Sequence, residues 1–262
     1  MPTCDFSSQK GNHLENALRS YQELEYGKAF CIVRPILDRI GATMLISGAL
    51  GVFRRDVVIK LGGYARDTVG EDMELVMRIR QYAAESGSCL VIGYAKDALC
   101  FTELPWKMGD LIKQRIRWTV GLSEVLWKYR SMAVKKEYRF LERVAFWYYL
   151  LFEKCSPHLE CVSLLLCVLC GISARMLMLI GATVLWQVLL ALAGSFSSVR
   201  NAINASKHRF GTTVRFLLLL CSFVSLYHAL HSLVRLIAVP YTRIKKQRPK
   251  SKNVGWNSPT RS

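Results

Sequence analysis

Ser47-Gly48-Ala49-Leu50-Gly51-Val52-Phe53-Arg54-Arg55-Asp56 opens the segment on which the architecture turns. It is followed by Leu61-Gly62-Gly63-Tyr64, Gly70-Glu71-Asp72-Met73-Glu74 and Gln114-Arg115-Ile116-Arg117-Trp118. Polar residues and glycines gather where regular structure should end, which is where binding and catalytic groups are usually carried. Asp67, Thr68 and Gly70 are turn formers. From Met73 the apolar residues Met73, Val76, Met77 and Ile79 recur at helical spacing, so Glu71 and Asp72 belong to a helical first turn. Free N–H groups and the helix dipole favour an ionised carboxylate there, which predicts a low pKa and a side chain able to act as a general base. Acids at such a position also serve simply as good helix caps.

A helix is predicted from Lys107 to about Arg130. Gln114, Arg117, Trp118 and Gly121 are three and four residues apart and share one face, with Lys113 beside Arg117. A guanidinium suits phosphate oxygens, an indole offers a flat face to a sugar ring, and an amide can bond hydroxyls. An amphipathic helix lying at a membrane interface uses the same residue types.

Outward from this segment, Asn12 and Glu15 form a capping box for a helix reaching about Lys28, and Pro35 should break or kink the chain after it. Thr43 to Ser47 reads as a buried strand that delivers the glycine-rich turn, and a short helix from Asp56 ends at Gly62-Gly63. The Asp72 helix closes near Ser86-Gly87. Cys89 to Tyr94 and Ala98 to Phe101 read as short strands. The alternation predicts α/β architecture, with too few strands for a complete sheet.

Composition points to lipid. Of the 262 residues, 52% are hydrophobic and the formal charge is +17, with the basic residues flanking apolar runs and no nucleic-acid motif beside them. Spans are expected at about 157–174 and 176–194, with a third candidate at 216–239 that carries His228, His231 and Arg235 on one face. A basic tail from Arg243 to Lys252 favours the cytoplasmic side. The nine cysteines, Cys161, Cys167, Cys170 and Cys221 among them, read as small apolar groups rather than bridges. Two domains are expected, 1–130 and 131–262, the second a membrane domain of two to four spans.

At Asp72, at Gln114-Xaa-Xaa-Arg117-Trp118, and at Ser47-Gly48-Ala49 and Phe53-Arg54-Arg55, the chain resembles the membrane-bound glycosyltransferase family 2, in its poly-N-acetylglucosamine, cellulose and hyaluronan synthase-like branches. The resemblance implies a GT-A, Rossmann-like catalytic domain on the cytoplasmic side, followed by transmembrane helices in the cell membrane. Asp72 would be the base, with Glu71 its paired acid. Gln114, Arg115, Arg117 and Trp118 would bind substrate, and Ser47, Gly48 and Arg54 would line the acceptor side. The implied partners are a nucleotide sugar and a glycan or lipid acceptor, with Mg²⁺ or Mn²⁺ on the donor diphosphate and no nucleic acid.

The family's metal-binding Asp-Xaa-Asp is absent. The chain is therefore expected to be the C-terminal, acceptor-side part of an inverting hexosyltransferase, lacking the nucleotide-binding half, which a partner chain could supply. No metal ligand is assigned to it. A non-catalytic membrane subunit or degenerate remnant is the alternative.

Overall fold

The computed structural model describes residues 29–95 and 107–159 without interruption, together with residues 2, 3, 15, 18, 22, 25, 26, 98, 100–102, 104, 105, 161, 162, 165, 178, 232–238 and 240. The chain divides into two units: Met1–Ile40 with Gly93–Leu104 and Pro157–Ser232, and Gly41–Ile92 with Pro105–Ser156 and Leu233–Ser262.

In the first unit, residues 15, 18, 22, 25 and 26 are helical, as the capping box predicts. A π-helical turn, Ala29–Val33, leads into helix α1, Arg34–Arg39. Pro35 does not break this segment. It lies in the first turn of α1, where a missing N–H costs nothing and the fixed φ suits the helix. Asp38 Oδ1 accepts the Tyr94 N–H at 2.8 Å, and the Tyr94 hydroxyl donates to the Phe30 carbonyl at 2.9 Å. Strands β1, Pro2–Thr3, and β2, Cys100–Phe101, pair in parallel.

The second unit is helical. It comprises α2, Arg55–Lys60; α3, Glu71–Ser86; α4, Met108–Lys128; and α5, Phe140–Tyr148, which continues as a π-helical turn, Tyr149–Cys155. Buried Met73, Val76, Met77 and Arg80 lie three and four residues apart along α3 and turn one face inward. α3 ends at Gly87, whose φ of 63° lies in the left-handed region that only glycine enters freely. α2 ends at Gly62 and Gly63 with φ of 82° and 78°. Arg78 closes that end by donating to the Leu61 and Gly63 carbonyls, which α2 itself cannot pair.

One buried ion pair ties α3 to α5. Arg80 donates to Glu142 and, through Nε, to the Thr43 carbonyl at 2.7 Å. Burial lowers the Arg80 pKa, and the Glu142 charge opposes that shift. The second oxygen of Glu142 accepts the Arg139 N–H at 3.1 Å and completes a capping box at the start of α5.

The expected α/β, GT-A-like (Rossmann-like) architecture does not form. Among the described residues the one pair of strands is two residues long, and all else that is regular is helical. The physical reason is visible at Thr43–Ser47. Ala42 and Met44 are fully buried there, yet no strand among the described residues lies beside them, and Thr43 gives its carbonyl to Arg80 instead of a ladder. Residues that fit a half-buried pleated surface do not by themselves supply a neighbour. Cys89–Tyr94 likewise forms no strand.

The expected transmembrane helices and multi-pass location in the cell membrane are corrected as well. No helix among the described residues is long and apolar enough to cross a membrane. The proposed spans at 157–174, 176–194 and 216–239 fall mostly outside the described residues, as do His228, His231 and the basic tail. Arg235 lies 3.4 Å from Glu153.

Glu142→Ala should destabilise the protein by roughly 3–5 kcal/mol, because it leaves the Arg80 charge buried without its partner. Arg54→Ala, which removes a pair exposed on both sides, should leave the urea midpoint where it was. Equal midpoints for the two variants would contradict the role given to the buried pair.

Candidate functional site

The turn before α3 is built against α4. Thr68 Oγ1 donates to Glu124 Oε2 at 3.0 Å and accepts the Gly70 N–H at 3.1 Å, while the Val69 N–H donates to the same Glu124 oxygen at 3.3 Å. Gly70 is the N-cap of α3 and has no capping side chain of its own, so α4 and Thr68 satisfy amides that the helix cannot. A Cβ on Gly70 would stand 2.9 Å from the Gly121 Cα, and one on Gly121 would stand 2.8 Å from the Gly70 Cα. Only two glycines allow this approach.

Below the turn, Glu74 is 1% exposed. It accepts from Lys128 at 2.9 Å, the Tyr129 hydroxyl at 2.8 Å and Arg78 at 2.7 Å. Burial pushes its carboxyl up, but these three donors outweigh burial and hold it below the ordinary range. The Tyr129 hydroxyl is driven well above the usual phenol value, first by burial and then by Glu74.

Asp72 stands at the rim of this arrangement, partly shielded. Its Oδ2 accepts the Gly48 N–H at 3.1 Å and its Oδ1 accepts the Met73 N–H at 2.8 Å. Gly48 is offered by a turn in which the Leu50 N–H bonds the Ser47 carbonyl at 3.2 Å. The Asp72 pKa is raised, chiefly by burial and further by the neighbouring Glu71 charge, against the pull of the Met73 and Gly48 amides. The low pKa expected from a first-turn position is thus reversed, because desolvation exceeds what the helix terminus supplies. A carboxylate so shifted is a stronger base and still has lone pairs for an incoming proton.

Along α4, Trp118 precedes Gly121 by three residues, about 4.5 Å along the helix axis. Trp118 is 39% exposed, and its ring lies under the Arg115 guanidinium, 4.6 Å from the ring centroid. Arg115 itself is buried, Arg117 is exposed, and Gln114 keeps a shielded Oε1 that accepts no hydrogen bond.

The expected site residues therefore fall into three groups. Gly48 and Asp72 meet directly, with Ser47 next to Gly48 in the same turn and Glu71 exposed next to Asp72. Gln114, Arg115, Arg117 and Trp118 share the helix that holds the Asp72 turn. Arg54 joins neither group, since Asp56 takes its guanidinium in a bidentate pair at 2.6 and 3.1 Å.

Glu124, Lys128 and Tyr129 were not singled out by sequence, although Glu124 and Lys128 continue the Gly121 stripe at three- and four-residue steps. No group of three His, Cys, Asp or Glu able to hold a metal exists among the described residues, and Glu74 is fully engaged by its three donors.

Comparison with known proteins identifies the family. The family model described as "Glycosyl transferase family group 2" matches residues 6–193, and the chain belongs to that family. Poly-beta-1,6-N-acetyl-D-glucosamine synthase of Staphylococcus epidermidis is 29% identical over 109 residues, covering 42% of this chain and 25% of that protein. The synthase of the same name from Staphylococcus aureus strain COL is 30% identical over 111 residues, with coverage again of 42% and 25%. The chain thus spans about a quarter of the length of the curated relatives it matches. No solved structure matches it significantly. The match begins at residue 6 and takes in the family's catalytic region itself, which overturns the expectation of a C-terminal part lacking the nucleotide-binding half.

The raised pKa of Asp72 has a stability consequence. Its favourable contribution is complete below the unfolded aspartate pKa of about 3.9 and is lost as pH rises through the folded value, so at pH 7 the shielded charge costs stability. Asp72→Asn should therefore raise Tm at pH 7 and leave it unchanged at pH 3 in paired calorimetric scans. A variant no more stable than wild type at pH 7 would contradict the burial described.

Proposed function

We propose that the protein is an inverting hexosyltransferase that uses a nucleotide sugar and a glycan acceptor, with Asp72 as the base. Asp72 takes the proton of the acceptor hydroxyl. The acceptor oxygen bonds to the anomeric carbon from the face opposite the leaving group, and the bond from that carbon to the nucleoside diphosphate breaks, with its electron pair leaving on the diphosphate. Trp118 offers the stacking face for the acceptor sugar, Gln114 a hydrogen-bonding amide, and Arg117 a cation for the diphosphate.

The observation that carries this reading is the Asp72 carboxylate. It is held by two backbone N–H groups on a turn pinned to the helix that bears Gln114, Arg117 and Trp118. Family membership supports sugar transfer, and the names of the relatives make N-acetylglucosamine the first sugar to test. A non-catalytic binding role is the second reading, favoured by the lack of a three-residue metal-ligand group among the described residues.

The test uses the full-length protein with UDP-N-acetylglucosamine and short N-acetylglucosamine oligomers, in the presence of Mg²⁺ or Mn²⁺, measuring release of UDP. Asp72→Asn should cut turnover by about 10²- to 10⁴-fold with donor binding nearly unchanged. Near wild-type turnover would remove Asp72 from the chemistry. A wild-type protein that binds the oligomer but releases no UDP would favour the non-catalytic reading.

Trp118→Ala and Arg117→Ala should separate the two ligands. The first should raise the acceptor KM and the second the donor KM, since a lost stacking face and a lost charge-assisted contact act on different groups. If both variants lose the same ligand equally, the division of roles is wrong.

A further inference from the structure

The first turn of α3, which carries Asp72, is held in place by the turn before it, and that turn is tied to α4 by the Glu124 carboxylate and by the Lys128 ammonium, which donates to Asp67 Oδ2 at 3.3 Å. Glu124 Oε2 receives both the Val69 N–H, at 3.3 Å, and the Thr68 hydroxyl, at 3.0 Å. The hydroxyl in turn receives the Gly70 N–H at 3.1 Å. The Gly70 carbonyl then begins the helix by accepting the Glu74 N–H at 2.9 Å. A chain of hydrogen bonds therefore runs from Glu124 through Thr68 to the N-cap, two residues before Asp72.

The Lys128–Asp67 pair is exposed and grips the residue before Thr68, whereas Glu124 bonds Thr68 and Val69 themselves. Gly70 and Gly121 touch backbone to backbone, which brings the elements close but offers no side chain to prevent sliding. Glu74 fixes the body of α3 through Lys128 and Tyr129, and the same Lys128 reaches back to Asp67.

We propose that Glu124 is a positioning residue for Asp72, holding the Thr68–Gly70 turn so that the Asp72 carboxylate stays against the Gly48 amide. This rests on Asp72 being the base of the proposed transfer. Glu124 touches no reacting atom in this scheme. It acts through the turn, and its acceptor oxygen matters rather than its charge.

The charge acting on Asp72 from its own helix is that of Glu71, and the amides facing it are those of Gly48 and Met73. A loosened turn would let Asp72 into solvent and away from Gly48, so its titration should move down toward that of an ordinary aspartate. A merely structural residue would lower Tm without moving that titration.

The experiment tracks the Asp72 carboxyl by ¹³C NMR across pH, and hydrogen exchange at the Val69 and Gly70 amides, in wild type, Glu124→Ala and Glu124→Gln. Turnover with UDP-N-acetylglucosamine is measured alongside. Glu124→Ala should shift the Asp72 titration downward, speed exchange at both amides, and lower kcat roughly 10- to 100-fold with the acceptor KM unchanged. Glu124→Gln keeps an acceptor oxygen at the same reach and should stay close to wild type in all three readouts.

An unmoved Asp72 titration in folded Glu124→Ala would overturn the proposal, as would Glu124→Gln behaving like Glu124→Ala. Should Glu124→Ala fail to fold, Thr68→Ala breaks the same relay at its middle and must give the same shift; an unmoved titration there overturns the proposal equally. Retained turnover in Asp72→Asn would instead remove the base assignment and leave the titration and exchange results standing.

Discussion

Gly70 and Gly121 meet with no atoms to spare, and the second unit is arranged around that contact. Any side chain at either position would hold α4 away from the start of α3. The carboxylate of Glu124 would then miss the Val69 amide, and the Lys128 ammonium and Tyr129 hydroxyl would not reach Glu74. The close approach is what lets one stripe of α4 serve two purposes. Its N-terminal part presents Gln114, Arg117 and Trp118, and its C-terminal part secures the helix that carries Asp72.

Charge is then placed by depth. Glu74 is buried with three donors around it and stays ionised because each of its oxygens is bonded. Asp72 is only half covered, has two amides and a like charge as neighbours, and is pushed toward the protonated form. Two carboxylates two residues apart on one helix thus have opposite pKa shifts, which is how a fold separates a structural anion from a candidate base. The buried acid fixes the helix body; the shifted one is left at the rim with lone pairs to spare.

The helices were legible because their signals are local. The turn residues at Asp67–Gly70 and the glycines at 62, 63 and 87 bracket α2 and α3 within a residue or so, and α4 falls inside the span that its periodicity predicts. The strands were not legible in the same way. Thr43–Ser47 has the composition of a strand and is buried like one, yet pairing is a property of a neighbour that no window of sequence contains. Within the site, the Asp72–Gly48 contact joins segments whose partnership composition alone cannot show. The direction of the Asp72 shift depends on burial, which sequence does not report. The pairing of Arg54 could have been seen locally, since Asp56 stands two residues away and takes its charge. Glu124 and Lys128 could have been found by extending the Gln114 stripe past Gly121 at the same spacing.

The Arg80–Glu142 pair constrains how this chain can change over generations. Neither position can be altered alone without passing through a protein with a lone charge in its interior, so the two are expected to be inherited as a unit or replaced together by apolar residues. They lie 62 positions apart in the chain, one on each side of the segment bearing Gln114 and Trp118. A recombination event that exchanges α4 between relatives, with one crossover on either side of it, keeps both partners from the same parent. A single crossover anywhere between them does not, and such chimaeras would be lost for reasons unrelated to their chemistry.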